Sequence, residues 1–217
     1  MKKLYILFAL ILFIFEKSHG QRRQFGQIDR LDSIVNNFTV KLNNNGVSKI
    51  IYTKHYCESM IPHKCGNVIY IFWKNAAESY IKKFDGCIQY AEFKITNSNF
   101  FDFYEKFKDT IKDEEVHPFQ TEVKENHKIT SNRDSGSAII FPATISIYHY
   151  CGREIIIYDQ NDTIEKYFNY FELEYKSGED ININYNANNK LKLVQWDKRT
   201  NELIEQLEAE KKFVSVK

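Results

Sequence analysis

The chain says one thing nearly twice. His63-Lys64-Cys65-Gly66-Asn67-Val68-Ile69-Tyr70-Ile71 is echoed 86 positions later by His149-Tyr150-Cys151-Gly152-Arg153-Glu154-Ile155-Ile156-Ile157. The echo continues: Asn75 precedes Ala77, Tyr80, Ile81 and Phe84, and Asn161 precedes Ile164, Tyr167, Phe168 and Phe171. An H-x-C-G match alone would be weak. Followed by an apolar run and the same apolar spacing in the same order, it predicts a duplicated unit of roughly 90 residues. The expected fold class is α+β: two diverged tandem repeats of antiparallel strands with one or two helices each, stapled by disulfides. The boundaries that follow are a signal peptide over 1–20, an N-terminal arm over 21–36, repeat unit one over 37–112 and a charged linker over 113–118. Repeat unit two then covers 119–217 and adds a β-meander and a C-terminal helix.

Within these units the pattern alternates between hairpins and helices. Residues 38–42 and 47–57 predict a hairpin across Asn43-Asn44-Asn45-Gly46, an Asn-Gly turn signal. Residues 68–73 form an apolar run of strand length. Residues 75–84 and 163–171 read as helices begun at Asn75 and Asn161, because their apolar residues fall at i, i+3, i+4 and i+7. A strand is expected over 87–95. A stronger helix covers 99–111, with Phe100, Phe103, Tyr104, Phe107 and Ile111 on its core face.

Unit two predicts a hairpin of 119–129 with 138–151 and a buried strand over 154–158. A meander of 172–176, 181–185 and 190–196 follows, then a surface helix over 198–212. Grouped antiparallel strands with helices between the groups make α+β, not a doubly wound sheet. Only eight glycines occur, and none builds a glycine-rich strand-to-helix turn, which removes nucleotide binding of the Rossmann or P-loop type.

The first residues have the layout of a secretory signal. Lys2 and Lys3 precede the apolar run Leu4–Phe15, and Ser18-His19-Gly20 offers a cleavage site before Gln21. Glu16 and Lys17 stop the run short of the ~20 apolar residues a membrane span requires. The expectation is a soluble, extracellular mature chain. The sequons at Asn37 and Asn161 are candidate glycosylation sites in that pathway. A net charge of +1 with interspersed signs leaves no electrostatic footprint for nucleic acid or an anionic membrane.

Four cysteines behind such a signal, Cys57, Cys65, Cys87 and Cys151, read as two disulfides with three possible connectivities. Because Cys65 and Cys151 hold equivalent places in the echo, the simplest arrangement is Cys57–Cys87 with Cys65–Cys151. The main rival is Cys65–Cys87 with Cys57–Cys151.

Three H-x-C elements, at His55, His63 and His149, raise a second possibility. On a strand, residues i and i+2 point the same way, so two such pairs could surround one ion as a structural Cys2His2 site of His63, Cys65, His149 and Cys151. Oxidising conditions favour disulfides instead, and no metal or other cofactor is expected.

Asp134-Ser135-Gly136 lacks the flanking glycines of a serine nucleophile and reads as a turn. Asp159–Thr163 alternates oxygen-bearing residues, but Ile164 and Tyr170 stand where a calcium loop needs glycine and glutamate. No catalytic constellation emerges. The tyrosines are the better lead: Tyr150, Tyr158, Tyr170, Tyr175 and Tyr185 crowd unit two, and such rings supply area and a hydroxyl at binding surfaces. The sequence therefore points to a secreted, non-enzymatic binding protein released toward a host or neighbouring cell, whose partner is an extracellular protein or glycan. The alternatives are a secreted hydrolase with His63 or His149 as general base in the cleft between the repeats, and the metalloprotein above.

Overall fold

One strand organises the molecule. In the computed structural model, which describes residues 30–57, 67–96, 99–122, 143–144, 151–160 and 162–216, β1 (Lys49–Cys57) lies between two hairpins. On one side is β2 (Val68–Asn75) with β3 (Glu78–Phe84), and on the other β8 (Cys151–Asp159) with β9 (Asp162–Asn169). Shorter pieces complete the edge beyond β3: β4 (Gln89–Tyr90), β5 (Phe93–Ile95) and the C-terminal β12 (Ser215–Val216). Among the described residues the order is β12-β4-β3-β2-β1-β8-β9, with β5 also on β3, and every pairing is antiparallel. The class is α+β, as the sequence indicated.

Helices cover the two faces of the sheet unequally. The first face is packed by α1 (Arg30–Asn44): Leu31, Val35 and Leu42 lie on Ile50, Tyr52, Ile69, Ile71, Trp73 and Phe84. The second face is packed by α2 (Asn99–Asp113) and α4 (Lys192–Ala209), which bring Phe100, Phe101, Tyr104, Leu193, Trp196 and Leu207 to Ile51, Phe72, Ile81, Ile155, Ile157 and Phe168. The buried Trp196 indole donates to the Phe100 carbonyl at 2.9 Å, which fixes α4 against the start of α2.

Several elements differ from expectation, each for a readable reason. The Asn43–Gly46 signal ends a helix and does not turn a hairpin. Leu31, Val35, Phe38 and Leu42 form one helical stripe, and a Schellman motif closes it. Gly46 takes φ 79°, the Val47 amide donates to the Leu42 carbonyl at 3.1 Å, and the Gly46 amide to Asn43 at 2.9 Å. The predicted helices at 75–84 and 163–171 are the return strands β3 and β9.

In β3 both sheet faces are lined, so apolar residues appear on both sides of the strand and imitate a helical spacing. In β9 the alternation is strict, but its central inward position is Lys166. That ammonium donates to the Lys112 and Glu114 carbonyls at 2.7 Å each, capping the C-terminus of α2.

The last predicted strand, 190–196, is the first part of α4, and the helix expected on the surface is buried along Leu193, Trp196, Leu203 and Leu207. Of the predicted meander, only the small hairpin of β10 (Lys176–Ser177) and β11 (Asp180–Ile181) remains, beside the single turn α3 (Tyr185–Asn188). Two buried asparagines tie this excursion to the chain before it. Asn188 exchanges bonds with the His117 amide at 3.0 Å and carbonyl at 2.8 Å. Asn182 donates to the Glu172 and Glu174 carbonyls. Of the hairpin predicted from 119–129 and 138–151, β6 (Gln120–Thr121) pairs with β7 (Ala143–Thr144), Cys151 begins β8, and 123–142 and 145–150 lie outside the described residues.

The echo has a structural counterpart of a different kind. Its apolar runs fall on β2 and β8, which flank β1, yet the echoed residues face opposite ways. Ile69 and Ile71 pack under α1, whereas Ile155 and Ile157 pack under α2 and α4. Two hairpins share one strand; a tandem repeat is not evident in this arrangement.

Candidate functional site

The ladder of β1 with β8 sorts side chains by parity, because successive residues point to opposite faces. At the far end of the second face this brings together His55, Cys57, Cys151 and Arg153, since His55 pairs with Arg153 and Cys57 with Cys151. Cys57 and Cys151 form a disulfide. The preferred connectivity, Cys57–Cys87 with Cys65–Cys151, is therefore corrected: two residues in direct register across adjacent strands are bonded instead. Cys87 is in the disulfide-bonded state too, and Cys65 lies outside the described residues.

Below the disulfide sits a buried ion pair. Arg153 Nε lies 2.9 Å from Asp197 Oδ1, both side chains 3% exposed. Asn201 accepts from the guanidinium and donates to the second Asp197 oxygen at 3.1 Å. Burial pushes the Asp197 carboxyl up, and Arg153 opposes that shift. Tyr170 lies over the guanidinium at 5.8 Å and edge-on to the His55 ring at 5.4 Å. Partial burial, with Arg153 second, lowers the His55 pKa. Gly152 shows why the motif ends in glycine: a Cβ there would stand 2.7 Å from the Tyr56 hydroxyl and 2.6 Å from the Phe168 carbonyl.

The first face of the same hairpin is different. On it β8 and β9 present Glu154, Ile156, Tyr158, Glu165 and Tyr167, of which Ile156 and Tyr158 pack, partly buried, against the α1-side core. Tyr167 is 56% exposed and donates to Glu154 Oε1 at 3.2 Å. Burial raises the Glu154 carboxyl, with Lys54 at 4.0 Å pulling the other way. Lys54 is shared with Asp32 at 3.3 Å. Tyr56 extends the row, its hydroxyl donating to Asn169 Oδ1 at 3.1 Å. Toward the β8–β9 turn the row runs into a cleft of about 390 Å3 between the end of α1 and the hairpin, lined by Asn43, Val47, Tyr158, Asp162 and Thr163.

The five tyrosines singled out by sequence do not share one surface. Tyr158 lies on the open face, half-buried. Tyr170 belongs to the opposite side, against Arg153. Tyr175 and Tyr185 meet edge-on at 5.3 Å on the β10–β11 excursion, beside the exposed Ile181 and Ile183. Tyr150 lies outside the described residues, as do His63, His149, Asp134–Gly136 and Asn161.

Asn37 is exposed on α1, and the Thr39 hydroxyl of its sequon donates to the Val35 carbonyl at 3.0 Å. Sequence reasoning missed Tyr56, Glu154 and Tyr167. Reading 163–169 as a strand would have found the last of these, since Thr163, Glu165, Tyr167 and Asn169 then share a face.

Among the described residues no helix is long and apolar enough to cross a membrane. Comparison with protein-family models, with curated proteins and with solved structures gave no match, so no relative supplies a ligand or a residue role.

Proposed function

We propose that the protein is a secreted, non-enzymatic binding protein that engages an extracellular protein or glycan through the open face of the β8–β9 hairpin. One observation carries the reading: an exposed tyrosine bonded to a carboxylate that burial has pushed up, on a sheet face that is only partly covered. A half-buried carboxylate whose one cation among the described residues, Lys54, is shared with Asp32 costs stability, and such local conflicts concentrate at functional sites. The rings of Tyr56, Tyr158 and Tyr167 offer flat area, while Glu154, Glu165 and Asn169 offer hydrogen-bonding groups between them.

The signal-like residues 1–20 support export, and a disulfide is compatible with it. The sequons at Asn37 and Asn161 belong to the same proposal. The test is a glycan array and an arrayed panel of extracellular domains, each probed with the wild-type chain and with Tyr167→Ala/Glu154→Ala. Ligands that bind the first and are lost by the second, at unchanged circular dichroism, support the surface. Ligands that bind both equally place recognition elsewhere, and a panel that neither protein binds counts against the binding reading.

A further inference from the structure

We propose that His55, Cys57 and Cys151 form a zinc site that the disulfide closes and two-electron reduction opens. The three side chains are the one such cluster of potential ligands among the described residues, with His nitrogen and both sulfurs all within 4.8 Å of one another. The placement follows from the ladder. Cys57 and Cys151 are directly opposed in the β1–β8 register, and His55 lies two residues before Cys57 on the same face. His55 Nε2 stands 3.5 Å from Cys57 Sγ. A tetrahedral zinc with Zn–N of about 2.0–2.1 Å and Zn–S of about 2.3 Å holds its nitrogen and sulfur roughly 3.6 Å apart. The imidazole and the sulfur are therefore already spaced as ligands of one ion.

Access and support are also present. His55 and Cys57 are exposed, so a reductant and an ion can reach them from solvent. The Tyr170 ring stands edge-on to the imidazole, and the charge of Arg153, opposite His55 in the ladder, is paired with Asp197. This set differs from the His63, Cys65, His149 and Cys151 combination considered from sequence, because Cys151 is paired in register with Cys57. It does not depend on the open face proposed for binding.

The chemistry balances with a dithiol as reductant. The dithiol gives two electrons and two protons to the Cys57–Cys151 bond, leaving as a cyclic disulfide and producing two thiols. Zinc then displaces both thiol protons and takes the His55 nitrogen as third ligand, with water in the fourth position. Oxidised, the end of the ladder is held by a covalent bond; reduced, the same residues are held by the ion.

The test uses the full mature chain, oxidised or reduced with a phosphine that is then removed under argon. Zinc is measured by competition with a chromophoric chelator, and the site is read by cobalt(II) substitution. The reduced protein is expected to bind one ion at this site, with thiolate-to-cobalt charge transfer and the intense visible bands of tetrahedral coordination. The oxidised protein lacks the site. His55→Ala is expected to weaken binding at least tenfold while circular dichroism stays unchanged, and Cys151→Ser removes the tetrahedral spectrum. Because Cys65 and Cys87 are also reduced, the His55→Ala comparison separates this site from them. Equal binding by oxidised and reduced chain, equal binding by His55→Ala, or a reduced chain that loses its fold and does not regain it with zinc would each overturn the proposal.

Discussion

The two hairpins that flank β1 are built alike and finished differently. The β2–β3 hairpin is covered on both faces: Ile69, Ile71, Trp73 and Phe84 under α1, Phe72 and Ile81 under α2 and α4. The β8–β9 hairpin is covered fully on one face and only partly on the other, where Ile156 and Tyr158 still pack against the α1-side core. Its second face carries Ile155, Ile157, Ile164 and Phe168, with the polar groups among them answered by Asp197, Asn201 and the end of α2. Its first face keeps Glu154, Glu165 and Tyr167 in partial contact with water. The core takes only Ile156 and Tyr158 from that face and leaves Glu165 and Tyr167 to solvent. The exposed remainder of that face is the surface that the proposed recognition would use.

The closed face of β8–β9 should break most severely at its ion pair. Asp197→Ala leaves the Arg153 guanidinium buried without its carboxylate, and the expected loss is about 3–5 kcal/mol by urea denaturation. Arg153→Met with Asp197→Leu should recover most of it, because the pair itself is worth little once both charges are gone. Removing the neighbouring disulfide as Cys57→Ala/Cys151→Ala is expected to cost about 2–4 kcal/mol. Lys166→Met deprives two carbonyls at the end of α2 of their donor, and about 1–3 kcal/mol should be lost in the same assay.

The open face should respond with the opposite sign. Burial holds the Glu154 carboxyl above its ordinary value of 4.5, so between that value and its folded pKa the native state binds more protons than the unfolded chain. Stability therefore falls as pH rises through that window, and the ionised group remains a cost above it. Glu154→Gln should stabilise the protein at neutral pH and lose that advantage as pH falls below 4.5, which thermal melts across pH will show. Tyr167→Ser, at an exposed position, should change stability by no more than about 0.5 kcal/mol while weakening any ligand of this face.

The parts of the fold legible in the sequence were those where one physical signal dominates. The stripe from Phe100 to Ile111 gives α2, and the apolar runs at 68–73 and 154–158 give β2 and β8. Where two signals compete, the pattern misleads. Lys166 in the inward row of β9 hid a period of two, because its reason for being there, the carbonyls that end α2, is more than fifty residues away in sequence. The triple asparagine before Gly46 can turn a hairpin or end a helix, and the Leu31–Leu42 stripe decides in favour of the helix. The disulfide followed register across β1, which motif equivalence could not reveal. Among the candidate binding residues, strand parity places Tyr158 on the open face, while the 3-10 turn after β9 sets Tyr170 against Arg153 on the closed one, beyond what their crowding in sequence could sort.

Hydroxyl-radical footprinting tests the contrast between the hairpins most directly, because it reads side-chain exposure residue by residue. Rapid oxidation of Tyr167 and measurable oxidation of Tyr158 are expected, while Trp73 and Phe84 stay protected despite the high intrinsic reactivity of the indole. Equal protection of Tyr167 and Trp73 would mean that both hairpins are covered on both faces, and the open surface on which the proposed function rests would not exist.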